Sequence, residues 1–163
     1  MANFYTQGEV CTHGTRVFVH SDIYDIFLEK AKRRSDNIKL GDPMHLDTQM
    51  GALISAQHLN KVMGYINRAK DSKARLICGG NRSTSEENRN GFFVEPTIFA
   101  DCEDDMPHIT DEIFGPVMSV LRFDEETEVI NRANNTNFGL AAGVFTQDIN
   151  RAHRVINKLQ AGI

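Results

Sequence analysis

Val117-Met118-Ser119-Val120-Leu121 is a nearly continuous apolar run. A strand with one wet face alternates polar and apolar side chains, whereas a strand covered on both faces does not. The run therefore predicts a central strand with helices above and below it. Upstream, Arg16-Val17-Phe18-Val19-His20 is β-branched and aromatic and reads as a second strand. Ser21 then offers a helix N-cap, and apolar residues recur at Ile23, Ile26, Phe27 and Ala31 with helical spacing. After the break at Gly41-Asp42-Pro43, a second helix carries Leu59, Val62, Met63, Ile66 and Ala69 on one face.

Arg75-Leu76-Ile77-Cys78 reads as a strand stopped by Gly79-Gly80, and the polar stretch 81–91 as a surface loop. Residues 92–99 read as extended, with Pro96 marking an edge or a bend. Beyond the central run come a helix over 125–135, a strand over 141–145 and a last helix. That helix shows Ile149, Ala152, Val155, Ile156 and Leu159 on one side. Strands alternating with helices predict an α/β fold, a mostly parallel sheet flanked by helices. A further strand is expected after Ile163, so the architecture should continue past that residue.

The 163 residues suffice for one apolar core. The net charge of −4 argues against non-specific nucleic-acid binding, which needs a basic surface. No apolar run is long enough to cross a bilayer, and the first residues, Met1-Ala2-Asn3-Phe4-Tyr5, do not read as a signal peptide. Three widely spaced cysteines, Cys11, Cys78 and Cys102, fit a reduced, cytoplasmic protein better than a disulfide framework. No Cys/His cluster has metal-ligand spacing, and none of the six histidines is assigned a role.

Two segments invite chemistry. Cys11 lies three residues after Gly8, where backbone can approach a ligand closely. On residue type alone, burial in the core is the favoured account of it, since a lone cysteine carries little signal. In Glu112-Ile113-Phe114-Gly115-Pro116-Val117, an acidic residue ends a loop and Gly-Pro turns the chain into the central strand.

Read as wholes, both segments resemble those of aldehyde dehydrogenases. Residues 3–16, Asn3-Phe4-Tyr5-Thr6-Gln7-Gly8-Glu9-Val10-Cys11-Thr12-His13-Gly14-Thr15-Arg16, are similar to that family's nucleophile segment, of the betaine aldehyde branch in particular. His13 stands where an asparagine is expected. The hexapeptide 112–117 is highly characteristic of the same family, and residues 40–43, 50–54, 137–146, 151–155 and 159–163 look like its scaffold, with Ala52 replacing a usual proline.

The resemblance implies that Cys11 attacks an aldehyde to give a thiohemiacetal, that a hydride passes to NAD or NADP, and that water releases the acid from a thioester. It implies that Glu112 accepts hydrogen bonds from the nicotinamide-side ribose and that Phe114 packs near the nicotinamide. It further implies that residues 1–163 are part of a catalytic domain. The cofactor-binding domain, the general base, the oxyanion-hole asparagine and any potassium site would lie outside them, leaving this chain inactive alone. The full-length form is expected to be a homo-oligomer acting on a small aldehyde. An aminoaldehyde substrate, and a non-catalytic folded or oligomerisation domain, stay open as alternatives.

Overall fold

The computed structural model describes residues 3–163; of the first residues read above as lacking a leader, Met1 and Ala2 lie outside it. Four strands, β1 (Arg16–His20), β2 (Arg75–Cys78), β3 (Thr97–Ala100) and β4 (Val117–Phe123), form one sheet in the order β1-β4-β3-β2. β4 pairs in parallel with β1 (Val17 opposite Val120) and with β3 (Ile98 opposite Met118). β2 joins the far edge antiparallel, with Arg75 opposite Ala100. The expected mostly parallel sheet is therefore present.

The helices cover both faces, which is why β4 is apolar almost throughout. Helix α2 (Ala56–Lys70) and the short α3 (Pro107–Thr110) pack on one side. There Leu59, Val62, Ile66, Ile109, Phe99, Val117 and Leu121 share a core. Helix α1 (Tyr24–Asp36) covers the other face, where Tyr24, Leu28, Val19, Ile98, Ala100 and Val120 meet. Two further helices, α4 (Glu126–Asn134) and α5 (Ile149–Ile156), follow β4. Among the described residues, no helix is long and apolar enough to cross a membrane.

Four expectations need correction. Ser21 does not cap α1: the His20 ring accepts from Asp22 N (3.2 Å) to open a 3₁₀ turn over Ser21–Ile23, and α1 starts at Tyr24 without a side-chain cap. The buried face of α1 is Tyr24, Leu28 and Ser35, while Ile23 and Ile26 face solvent. Tyr24 sets that rotation, because its hydroxyl accepts from Asp101 N (2.7 Å) and donates to Val120 O (3.4 Å). β3 is interior rather than an edge; Pro96 precedes its first residue, so no ladder N–H is lost, and Thr97 N donates to Pro116 O at 2.9 Å.

Residues 141–145, finally, are not a strand. They stay outside the sheet and largely exposed. Their backbone pairing is confined to the last residues, through Ala142 N to Ile163 O (3.0 Å) beside the neighbouring bond from Ile163 N to Leu140 O (3.0 Å). Too few bonds form there to make a ladder.

Within the first core lies His108, 5% exposed, its ring 5.5 Å from that of Phe99. Its Nε2 has no partner among the described residues, and burial holds its pKa below the usual 6.5. The folded chain thus resists a proton that the unfolded chain accepts as pH drops through 6.5, so stability falls with pH in that window. Urea midpoints measured from pH 7 to 5 should decline, and H108L should decline less steeply. Parallel slopes for the two proteins would rule out this role for His108.

Candidate active site

The cysteine segment starts from a buried anchor, Phe4, and turns sharply. Thr6 (φ 47°), Gln7 (φ 58°) and Gly8 (φ 73°) are all left-handed. For the two non-glycine residues this costs about 1–2 kcal/mol each, which local contacts must offset. Gln7 Oε1 accepts from Gly51 N (3.1 Å), and Glu9 Oε1 accepts from Ile54 N (3.2 Å). The 50–54 segment thereby braces the turn. Beyond it Val10 and His13 form another turn (His13 N to Val10 O, 3.2 Å) and present Cys11 at the surface. The core-cysteine reading of Cys11 therefore fails.

The other two thiols differ. Cys78 and Cys102 are buried, and burial pushes their pKa values up to about 11 and about 12. Both are protonated near neutral pH and hence weak nucleophiles. Iodoacetamide applied briefly to the folded chain should label Cys11 first, as peptide mapping would read. Earlier labelling of Cys78 or Cys102 would contradict this account.

The second segment is the turn from α3 into β4. Glu112 is exposed, and its carboxylate makes no hydrogen bond among the described residues. Phe114 is half-buried and left-handed (φ 59°). A row of side chains on α2, spaced as one helix face, clasps this turn. His58 Nε2 lies 2.6 Å from Phe114 O, Lys61 Nζ donates to Glu112 O (3.1 Å), and Tyr65 Oη donates to Asp111 Oδ2 (2.9 Å). Val62, from the same face, fills the space beside Gly115: a Cβ there would come within 2.7 Å of Val62 Cγ2.

The two segments meet backbone to backbone. A side chain on Gly8 would overlap the Gly115 carbonyl, and its positive φ disfavours other residues as well. His58 adds a second link, since Nε2 is also 3.3 Å from Glu9 Oε1. The structure thus brings together the chain segments bearing Cys11, Glu112 and Phe114, although Cys11 and Glu112 are 101 positions apart (112 − 11). The sequence reading leaves His58 and Glu9 without a role. Helical spacing puts positions 58, 61, 62 and 65 on one face, but nothing local indicates that their partners lie about fifty residues away. His13, at the expected asparagine position, is half-buried; desolvation lowers its pKa, and Nδ1 has no partner among the described residues. Gly8→Ala should destabilise the fold by more than about 1 kcal/mol, since both strain and overlap apply. An unchanged denaturation midpoint would mean that the contact is not tight.

This pairing of an exposed cysteine with a Glu-Ile-Phe-Gly-Pro turn on an α/β sheet belongs to a known class. The Aldehyde dehydrogenase family matches residues 1–163, and the chain belongs to that family. More particularly, the chain is 61% identical over 163 residues to betaine aldehyde dehydrogenase of Vibrio vulnificus, covering all of this chain and 34% of that protein. It is 52% identical over 165 residues to 4-trimethylaminobutyraldehyde dehydrogenase of Sus scrofa, covering 33% of it. Among solved structures, betaine aldehyde dehydrogenase from Staphylococcus aureus in complex with NAD+ superposes with a TM-score of 0.94 at 40% identity. That match covers 97% of this chain and 32% of the other. The NAD+ complex of an aldehyde dehydrogenase from Bacillus cereus gives 0.93 at 45%, covering 99% and 32%. The chain spans about a third of the length of the curated relatives it matches.

Proposed function

We propose that these residues form the nucleophile side of an NAD-dependent aldehyde dehydrogenase acting on betaine aldehyde, within a catalytic unit larger than 163 residues. One observation carries the reading: the chain's exposed thiol sits on the segment packed against the Glu112–Phe114 turn. Cys11, as thiolate, adds to the aldehyde carbon and forms a C–S bond, leaving charge on the former carbonyl oxygen. Backbone N–H groups around the turn are suited to stabilise that charge. NAD, when bound, supplies the acceptor for the hydride that leaves this carbon. Cys11 then holds the acyl group as a thioester, which water cleaves to the acid, returning the thiol.

The residues toward the cofactor fit that role. An exposed carboxylate with no protein partner, as at Glu112, can accept both hydrogen bonds of a vicinal diol. A half-buried ring such as Phe114 offers an apolar face that keeps water from the reacting carbon. These two residues grip only one end of a dinucleotide, so the 163-residue chain alone is expected not to turn over. Misplacement of the reacting groups by about 1 Å costs on the order of 100-fold, and a missing general base costs about 10²–10⁴-fold.

A 4-carbon trimethylamino aldehyde is the second substrate reading, favoured by the 52% identity to the Sus scrofa enzyme. Both readings share one test. In a full-length enzyme carrying these residues, Cys11→Ala should abolish NADH formation, and Glu112→Gln should slow it with the thiol count intact. The kcat/KM ratio for betaine aldehyde over 4-trimethylaminobutyraldehyde then assigns the substrate. Sustained NADH formation by the Cys11→Ala enzyme, or unchanged NAD kinetics in Glu112→Gln, would overturn the corresponding assignment.

A further inference from the structure

We propose that His58 is a positioning residue that locks the Cys11 segment and the Glu112–Phe114 turn into one unit through a single ring nitrogen. Its place is fixed early. Ser55 caps α2, and its Oγ accepts from His58 N at 3.1 Å, so the imidazole leaves the first turn of the helix in a set direction. Nε2 stands 2.6 Å from Phe114 O and 3.3 Å from Glu9 Oε1. A carbonyl oxygen only accepts, so Nε2 carries the proton in both protonation states of the ring and donates it to Phe114 O, while the Glu9 carboxylate, 3.3 Å from the same nitrogen, faces the positive end of that N–H as an electrostatic partner.

Three features make this link more than a surface contact. The His58 and Glu9 side chains are each only 15% exposed, so solvent competes weakly for the N–H. Phe114 holds a left-handed backbone that a bulky residue avoids, and its own carbonyl is the group being bound. The His58 ring also meets the Phe114 ring edge-on at 6.3 Å, so both the backbone and the side chain of Phe114 are gripped. On the other side, Glu9 Oε1 simultaneously accepts from Ile54 N, tying the 50–54 brace into the same network. Lys61 and Tyr65 hold only the 111–114 turn, which leaves His58 as the member of the α2 row that reaches both segments.

The consequence for catalysis rests on the function proposed above: the distance between the thiol and the cofactor-facing residues would be set by a group that touches neither reactant. The coupling itself does not depend on that reading and is measurable in the chain as it stands. Hydrogen–deuterium exchange would be followed for peptides covering 5–14, 50–55 and 111–116, with β1 and β4 as internal references. In His58→Leu, exchange should rise about tenfold, as for one lost net hydrogen bond, in all three peptides while β1 and β4 stay protected. His58→Gln, which keeps a side-chain N–H donor, should recover part of the protection.

Glu9→Leu provides the reciprocal arm, since coupling acts equally in both directions. It should raise exchange in 111–116 although it alters the other segment. If His58→Leu loosens 111–116 alone, or Glu9→Leu leaves 111–116 unchanged, the proposal is wrong. Failure of the functional reading is separable: an unreactive Cys11 in the unmodified chain would sink that reading and leave the exchange result intact.

Discussion

The contact between Gly8 and the Gly115 carbonyl is the constraint from which the site follows. It admits no side chain at position 8, and the three successive left-handed residues of the turn deliver the backbone to it. Everything adjacent is arranged around that approach. Gln7 and Glu9, flanking the glycine, spend their carboxamide and carboxylate on the backbone N–H groups of Gly51 and Ile54. Gly115 in turn leaves room for Val62. Two glycines 107 residues apart (115 − 8) therefore do together what neither could do alone. They let the backbones of two irregular segments touch.

Such an approach needs a stable floor, and β4 provides it. Val117 is buried in one core and Val120 in the other, so the strand that begins two residues after Gly115 is clamped from both sides. The turn bearing Glu112 and Phe114 thus hangs between a fixed strand and the face of α2. One buried hydroxyl in the neighbouring strand is satisfied twice over. Thr97, fully buried, accepts from Gly80 N (2.9 Å) and donates to Glu95 O (2.8 Å) through one hydroxyl. Loops braced against regular elements in this way hold their geometry better than loops without such support.

Much of the fold is legible because burial on two faces leaves a direct mark on composition. The run at 117–121 announces β4, and the 59, 62, 66, 69 spacing announces α2 with its inward face correct. The rotation of α1 is not legible. Apolar spacing points to Ile23 and Ile26, whereas a tyrosine hydroxyl bonded to two distant backbone groups decides the matter. The 141–145 stretch looks like a strand because Ala-Ala-Gly-Val-Phe is apolar, but strand formation needs a partner edge, and apolarity does not supply one. For the proposed site, the resemblance of the two motifs, rather than residue type, singles out Cys11, Glu112 and Phe114. The groups that contact these segments, His58 and Glu9, do so through partners distant in sequence, which leave no periodic trace.

The energetics divide the chain unevenly. On α5 only Val155 is buried, while Ile149 and Ile156 stay in water despite their helical spacing. A side chain of this size gains about 1.5–3 kcal/mol when fully buried, and here most of that is not realised. What ties α5 down is the Arg154 fork on Glu126 (2.7 Å for each bond), a solvent-exposed pair that water and salt screen. Asn134 adds hydrogen bonds to Lys158 O and Gln160 N at 2.9 Å each. Local opening should therefore begin around α5 and the segment that includes Phe138, Leu140 and Phe145, all exposed. The cysteine segment and the Glu112–Phe114 turn lie at the other extreme, attached to β4 and α2, whose side chains fill the first core. The two segments proposed to carry the chemistry are thereby attached to elements that contribute many side chains to the core, whereas α5 buries Val155 alone.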